Sequence, residues 1–230
     1  MNLTLKESLV TRSRVFSPWT AFYFLQSLLI NLGLGYPFSL LYTAAFTAIL
    51  LLLWRTLPRV QKVLVGISSL VAACYFPFAQ AYGAPNFNTL LALHSTNMEE
   101  STEILTIFPW YSYLVGIFIF ALGVIAIRRK KESEKARWNT FDSLCLVFSV
   151  ATFFVAPVQN LAWGGVFKLK DTGYPVFRFA KDVIVNNNEV IEEQERMAKL
   201  SGMKDTWTVT AVKPKYQTYV VVIGESARRD

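Results

Sequence analysis

The residues best suited to chemistry lie near the end of the chain, where an apolar run leads into polar side chains. Residues 219–223 read Tyr-Val-Val-Val-Ile, and Gly224, Glu225 and Ser226 follow directly. A short, continuous, β-branched run of this kind is typical of a strand buried on both faces of a parallel sheet. Functional groups in such sheets gather just beyond the carboxyl ends of the strands, where Glu225 and Ser226 would stand.

Chemistry alone leaves the role of Glu225 open. Its carboxylate could bind a metal ion or act as a general base, and it could equally be an acid placed at a helix start because of the helix dipole. Ser226 is a weaker candidate, since serine is also an ordinary N-cap residue. We therefore do not assign Ser226 as a nucleophile.

Most of the chain before this strand is apolar enough to cross a membrane. Hydrophobic residues make up 53% of the sequence and charged residues 17%, which is unlike a soluble protein. Because about 20 apolar residues span a bilayer core as a helix, the uncharged runs predict transmembrane helices. We predict five of them, over residues 19–34, 38–54, 63–81, 104–127 and 143–163.

Lysine and arginine are distributed unevenly around these predicted spans. Twelve lie before the first span and in the loops after the second and fourth, whereas the loops after the first and third contain none. The positive-inside rule therefore predicts a cytoplasmic N-terminus and a C-terminus outside. The net charge of +7 is explained by cations that set topology and contact anionic lipid, so it requires no nucleic acid partner.

The chain divides into three predicted parts: a membrane domain (1–163), an amphipathic linker outside the membrane (164–215) and the incomplete start of an α/β domain (216–230). In the linker, residues 174–185 predict a helix that either lies on the membrane surface or packs on a soluble domain. The three asparagines at 186–188 predict a turn, followed by a second helix over 189–200. Residues 206–212 alternate like a strand.

The motif around Glu225 resembles a known enzyme family. Residues 219–229, which contain Gly224-Glu225-Ser226-Ala227-Arg228, are similar to the first catalytic strand of the membrane phosphoethanolamine transferases, whose catalytic domain is alkaline-phosphatase/sulfatase-like. Members of the family have five spans, a cytoplasmic N-terminus and a periplasmic catalytic domain, which matches the topology predicted here. The resemblance implies a multi-pass protein of the bacterial inner membrane in which Glu225 binds a catalytic zinc ion.

The same resemblance implies a reaction. The family moves phosphoethanolamine from phosphatidylethanolamine to an envelope glycan through a covalent intermediate on a threonine. That threonine follows the Gly-Glu-Ser motif at a distance that places it beyond residue 230, so this chain contains no nucleophile. The acceptor would be lipid A, the lipopolysaccharide core or a periplasmic glucan, with a mild preference for the glucan.

A second resemblance lies in the loop between the third and fourth predicted spans. Residues 86–101 are similar to the family loop that carries Thr-Asn-x-x-Glu, and they imply that Asn97 and Glu100 bind the head group of the donor lipid. The loop contains three glutamates and no lysine or arginine, which suits the ammonium group of ethanolamine. The alternatives are an acidic first turn of a helix, or simple exclusion of cations from the outer side.

Glu225 alone cannot form a complete zinc site. Zinc takes about four donors, and the chain has a single histidine, His94, which we predict to be a hydrogen-bonded interfacial residue. We therefore expect the chain to be inactive alone, as a fragment of a longer enzyme or the product of a truncated gene.

Three other functions remain open. The chain could be a non-catalytic anchor. A transporter is disfavoured because the predicted spans contain no Asp, Glu, Lys or Arg. Lipoteichoic-acid synthases share five spans and a sulfatase-like domain, but Gly224-Glu225-Ser226-Ala227-Arg228 and the Asn97–Glu100 loop favour phosphoethanolamine transfer.

Overall fold

The computed structural model describes residues 17–129 and 138–203. Within these residues it contains one short 3₁₀ helix (Leu169–Asp171), no β-strand and eight α-helices: α1 (Pro18–Gly33), α2 (Leu40–Thr56), α3 (Pro58–Tyr82), α4 (Phe87–Ser95), α5 (Met98–Ile107), α6 (Trp110–Arg128), α7 (Thr140–Ala162) and α8 (Pro175–Ser201). The contacts divide the chain into two units, residues 1–193 and 194–230. The described part of the second unit is the last part of α8 and the residues just after it. The predicted strands and Glu225 lie outside the described residues.

Three of the predicted spans are confirmed as helices long and apolar enough to cross a membrane. They are α3, α6 and α7, and α2 is a shorter apolar helix of 17 residues. Their outward faces are strongly apolar, with Ile67, Ile117 and Val147 each at least 60% exposed. Such faces suit a hydrocarbon environment. The first predicted span corresponds to α1, which has 16 residues, so its role as a span stays a prediction.

Small residues let the helices approach closely. A Cβ atom at Gly33 would lie 2.9 Å from that of Ala72, and one at Gly116 would lie 2.7 Å from the carbonyl oxygen of Ala73. Both contacts place the backbone of one helix directly against α3. Close packing over small side chains is the usual way in which helices associate in lipid, where the hydrophobic effect does not drive them together.

Buried polar side chains connect the same helices. Gln26 Nε2 donates to Ser69 Oγ at 2.8 Å, linking α1 to α3. Thr47 Oγ1 donates to Ser27 Oγ at 3.2 Å and so links α2 to α1. Such pairs satisfy polar groups that have no access to water and fix the register of neighbouring helices.

The fourth predicted span, 104–127, is wrong over its first six residues. The structure ends α5 at Ile107 and begins α6 at Trp110. Pro109 has no backbone N–H and disfavours a helical conformation at the residue before it, and Phe108 is accordingly extended with ψ 138°. Hydropathy alone does not register this break, because all of these residues are uncharged.

The predicted turn at 186–188 is also wrong. Helix α8 runs through these residues without interruption and ends at Ser201. An asparagine in a helix costs only a fraction of a kcal/mol, and here a hydrogen bond within the helix and burial of the next turn offset it. Asn186 Nδ2 donates to the carbonyl oxygen of Asp182 at 2.6 Å, and Val190, one helical turn after Asn186, is fully buried.

The first half of α8 packs on the bundle. Val176 and Phe179 contact the hydrophobic core, and the Phe179 ring lies 5.0 Å from that of Tyr75 in α3. The apolar side of the predicted 174–185 helix is therefore covered in part by the membrane helices, while Phe177 and Ile184 stay 49% and 61% exposed. Its position relative to a membrane surface remains a prediction.

Candidate functional site at the α8 end of the bundle

The helices of the bundle alternate in direction, so their ends form two opposite sets of loops. One set, named here the α8 end, includes Tyr36, Gly83, His94 and Asp182. The loops after α1 and α3 meet there, because a Cβ atom at Gly35 would lie 2.4 Å from the backbone of Gly83. Gly35 also has φ 81°, a conformation that side chains with a Cβ rarely adopt. The other set, the basic end, includes Trp19, Trp54, Arg55, Arg129 and Asp142.

A polar network fastens α8 to the loop between α1 and α2. Tyr36 Oη donates to Asp182 Oδ2 at 2.8 Å, and the Arg178 guanidinium lies 4.9 Å from the centre of the Tyr36 ring. Burial, followed by the hydrogen bond to Asp182, raises the pKa of Tyr36 well above its ordinary value. The phenol is therefore a neutral donor, and its role is to hold α8 in place.

A second tyrosine anchors the start of α8. Tyr174 is almost fully buried and its hydroxyl donates to the carbonyl oxygen of Ser149 at 2.9 Å. Burial raises the pKa of Tyr174 to about 12. The two tyrosines join α8 and its start to the loop between α1 and α2 and to α7.

The structure brings Asn97 and Glu100 together at the start of α5. Asn97 Oδ1 accepts from the backbone N–H of Glu100 at 2.9 Å, and the backbone N–H of Asn97 donates to Glu100 Oε2 at 3.2 Å. This reciprocal pair is a capping box. Both side chains are exposed. The geometry shows that the pair starts the helix, and head-group binding remains a prediction.

An apolar cavity of about 340 Å³ lies directly beside this capping box. It is enclosed by α3, α4 and α5, and its walls include Phe78, Tyr82, Ala92, Leu93, Thr96 and Leu105. Thr96, which is part of the cavity wall, immediately precedes Asn97 of the capping box. The cavity was missed from the sequence, although Thr89, Ala92 and Thr96 recur at the helical spacing that points them to one side of α4.

His94 lies at the same end, and its predicted hydrogen bond is confirmed. Its Nε2 atom is 2.9 Å from Oδ1 of Asn187 in α8. The ring therefore links α4 to α8. Since Asn187 belongs to the predicted turn, its contact with His94 is one reason why the helix continues there.

The basic end contains an ion pair that the sequence did not reveal. Arg55 Nη1 lies 2.5 Å from both carboxylate oxygens of Asp142 and 3.2 Å from Oδ1 of Asn139. Asp142 also forms a capping box with Asn139 at the start of α7. The Asn-x-x-Asp pattern was a signal for that cap, but nothing in the sequence connects it to Arg55, 87 residues away.

Comparison with known proteins gives a match over the whole length of the chain. All 230 residues align at 99% identity with phosphoethanolamine transferase OpgE of Escherichia coli strain K12, and the match covers 44% of that protein. The chain is near-identical to the N-terminal portion of a phosphoethanolamine transferase. A "Putative phosphoethanolamine transferase" of Haemophilus influenzae strain Rd is 24% identical over 162 residues, which is 70% of this chain and 30% of that protein.

The chain spans less than half the length of either relative. No protein-family model and no solved structure matches it. The predicted resemblance to phosphoethanolamine transferases is thus confirmed by the sequence comparison. The activity of a complete protein remains a proposal.

The described residues do not fit a zinc site by themselves. Residues 17–129 and 138–203 contain no group of three or more His, Cys, Asp or Glu side chains arranged to hold a metal ion. His94 is hydrogen-bonded to Asn187, and Glu225 lies outside the described residues. No chemical step through zinc follows from the residues described here.

Proposed function

We propose that this chain is the membrane part of an enzyme that transfers phosphoethanolamine from phosphatidylethanolamine to an envelope glycan. The observation that carries the proposal is the 99% identity over all 230 residues to phosphoethanolamine transferase OpgE. The two motifs around Glu100 and Glu225, which lie within the aligned residues, point to the same family. A periplasmic glucan is the acceptor to test first, with lipid A and the lipopolysaccharide core as the alternatives.

The α8 end is the proposed binding place for the donor lipid. The cavity beside α5 has apolar walls and a volume within the range of ligand pockets, so it suits part of an acyl chain. The exposed carboxylate of Glu100, four residues after the wall residue Thr96, suits the ammonium group of the same lipid. An apolar cavity and a nearby acidic loop together suit a phosphatidylethanolamine molecule.

We place the α8 end in the periplasm and the basic end in the cytoplasm. Arg55, Arg59, Lys62, Arg128 and Arg129 all lie near the basic ends of α2, α3 and α6, whereas residues 82–103 contain no lysine or arginine. The positive-inside rule favours this orientation. It would put the donor pocket in the outer leaflet, on the side where envelope glycans are modified.

Glu225 is proposed as one zinc ligand in a protein of the relative's full length. A glutamate at the end of an apolar strand is a suitable oxygen donor for zinc. The remaining donors and the nucleophile would come from residues that this chain does not contain. We expect the 230-residue chain alone to show no transfer from labelled phosphatidylethanolamine, and measurable turnover would contradict this assignment.

Replacing Glu100 by glutamine tests the donor site. Glutamine at this position can keep the capping box, so the helix start is retained while the charge is lost. In the full-length Escherichia coli relative, at the matched position, we expect the KM for phosphatidylethanolamine to rise about two- to fivefold with little change in kcat.

Glu103→Gln is the matched control, because Glu103 is an exposed glutamate of the same helix that takes no part in the capping box. The control should leave KM within error. Equal effects of the two substitutions would mean that only the general acidity of the loop matters, and no effect of either would remove Glu100 from the donor site.

A further inference from the structure

Arg129 at the basic end is held between two tryptophans. Its guanidinium carbon lies 4.1 Å from the ring centre of Trp19 and 4.4 Å from that of Trp54, and the Tyr23 ring is 5.8 Å away. The guanidinium lies over both indole rings. The N–H groups around its edge remain to be satisfied by acceptors in the same plane.

The acceptors for this edge are missing among the described residues. Arg129 Nη1 is shielded from solvent and has no hydrogen-bond partner there. The hydroxyl of Tyr23, which is 0% exposed, also lacks a partner. A buried donor without an acceptor is costly, and a charged one more so. The unpaired charged donor of the partly exposed Arg129 indicates that an oxygen-bearing group belongs at this place.

The nearest described carboxylate cannot supply that oxygen. Asp142 directs both oxygens to Arg55 and one of them to the backbone of Asn139. The other charged groups described at this end, Arg59, Lys62 and Arg128, are cations. Apart from the paired Asp142, the charged groups described at this end are therefore positive, which favours an anion as the missing acceptor.

We propose that Arg129, with Trp19 and Trp54, binds the phosphate of an anionic glycerophospholipid of the cytoplasmic leaflet. The phosphate oxygens accept from the guanidinium edge, and the tryptophans contact the glycerol and the upper acyl chains, as aromatic residues do at a membrane interface. An anionic lipid is preferred over phosphatidylethanolamine because an ammonium group would meet only cations and a carboxylate already paired with Arg55. The inference rests on the orientation of the bundle and is independent of transferase activity.

Native mass spectrometry of the purified chain with equal amounts of phosphatidylglycerol, cardiolipin and phosphatidylethanolamine tests the proposal. We expect the wild-type chain to retain the anionic lipids preferentially. Arg129→Gln should weaken this retention roughly tenfold, because one charge-assisted contact is lost. Arg129→Lys should recover only part of it, since lysine keeps the charge without the planar stacking.

Arg128→Gln is the matched control, as Arg128 is the adjacent, exposed arginine outside the aromatic cage. Equal losses from the two Arg→Gln substitutions, or equal retention of all three lipids by the wild type, would overturn the proposal. Glu132 and Glu134 follow Arg129 in sequence and are the competing internal partners. If Glu132→Gln or Glu134→Gln raises anionic-lipid retention by about the same tenfold factor by which Arg129→Gln lowers it, an internal ion pair occupies Arg129 and the proposal fails.

Fluorescence gives a second measurement that does not require a folded variant. Phosphatidylglycerol with brominated acyl chains should quench the wild-type tryptophans more strongly than brominated phosphatidylethanolamine, because Trp19 and Trp54 form the cage. Identical quenching by the two lipids would contradict a selective site.

Discussion

Replacing Arg55 by methionine should destabilise the chain much more than replacing Asp142 by asparagine. Methionine leaves the carboxylate of Asp142, which is only 3% exposed, without its counterion. Removing one partner of a buried pair typically costs about 3–5 kcal/mol. Asparagine at 142 keeps the cap of α7, and the Arg55 side chain, at 18% exposed, can reach polar surroundings. We expect that substitution to cost about 1.5–3 kcal/mol.

These free energies correspond to measurable shifts in thermal unfolding. For a chain of this length about 2–4 °C is lost per kcal/mol, so Arg55→Met should lower Tm by roughly 6–20 °C in detergent. The double variant Arg55→Met/Asp142→Leu should be more stable than Arg55→Met alone, since no buried charge is left unpaired. Additive losses in the double variant, or a larger loss from Asp142→Asn than from Arg55→Met, would refute this account of the pair.

Two further predictions concern the bundle and α8. Gln26→Leu removes the hydrogen bond to Ser69 and should lower the free energy of unfolding by only about 0.6 kcal/mol, or roughly 1–3 °C in Tm. The effect is small because polar contacts between membrane helices are individually weak. A loss above about 2 kcal/mol would show that Gln26 has another role. Folding raises the pKa of Tyr36 above its ordinary value of 10.0, so above pH 10 the folded chain keeps the phenol proton while the unfolded chain loses it. The contribution of Tyr36 to the free energy of unfolding is therefore complete below pH 10 and falls as the pH rises above 10. Urea unfolding of wild type and Tyr36→Phe across this range should show a steeper decline in the wild type, and parallel profiles would contradict the buried hydrogen bond to Asp182.

The sequence predicted best what depends on long uncharged runs. Helices α3, α6 and α7 follow from the absence of charge over roughly 20 residues, which only a membrane span or a large core explains. It failed where the backbone or distant contacts decide. Pro109 interrupts an uncharged run that hydropathy alone predicts to be one continuous helix. The contact of Asn187 with His94 stabilises a helix through residues 186–188, whose composition favours a turn.

The candidate site shows a different limit. The pattern Asn97-x-x-Glu100 has two meanings, since the residues that resemble a donor-lipid motif are also those of a capping box. The structure establishes the cap and shows the apolar cavity next to it, which no local pattern could reveal because its walls come from three helices. Arg129 and its tryptophans come from three separate helix ends and were likewise invisible before folding.

Photo-crosslinking with phosphatidylethanolamine that carries a photoreactive acyl chain tests the donor-lipid assignment most directly. If the cavity beside Glu100 holds the donor, crosslinked peptides from the chain should map to residues 78–105, and unlabelled phosphatidylethanolamine should compete better than phosphatidylcholine. Crosslinks spread evenly over all membrane helices, or equal competition by the two lipids, would contradict a donor site at the α8 end.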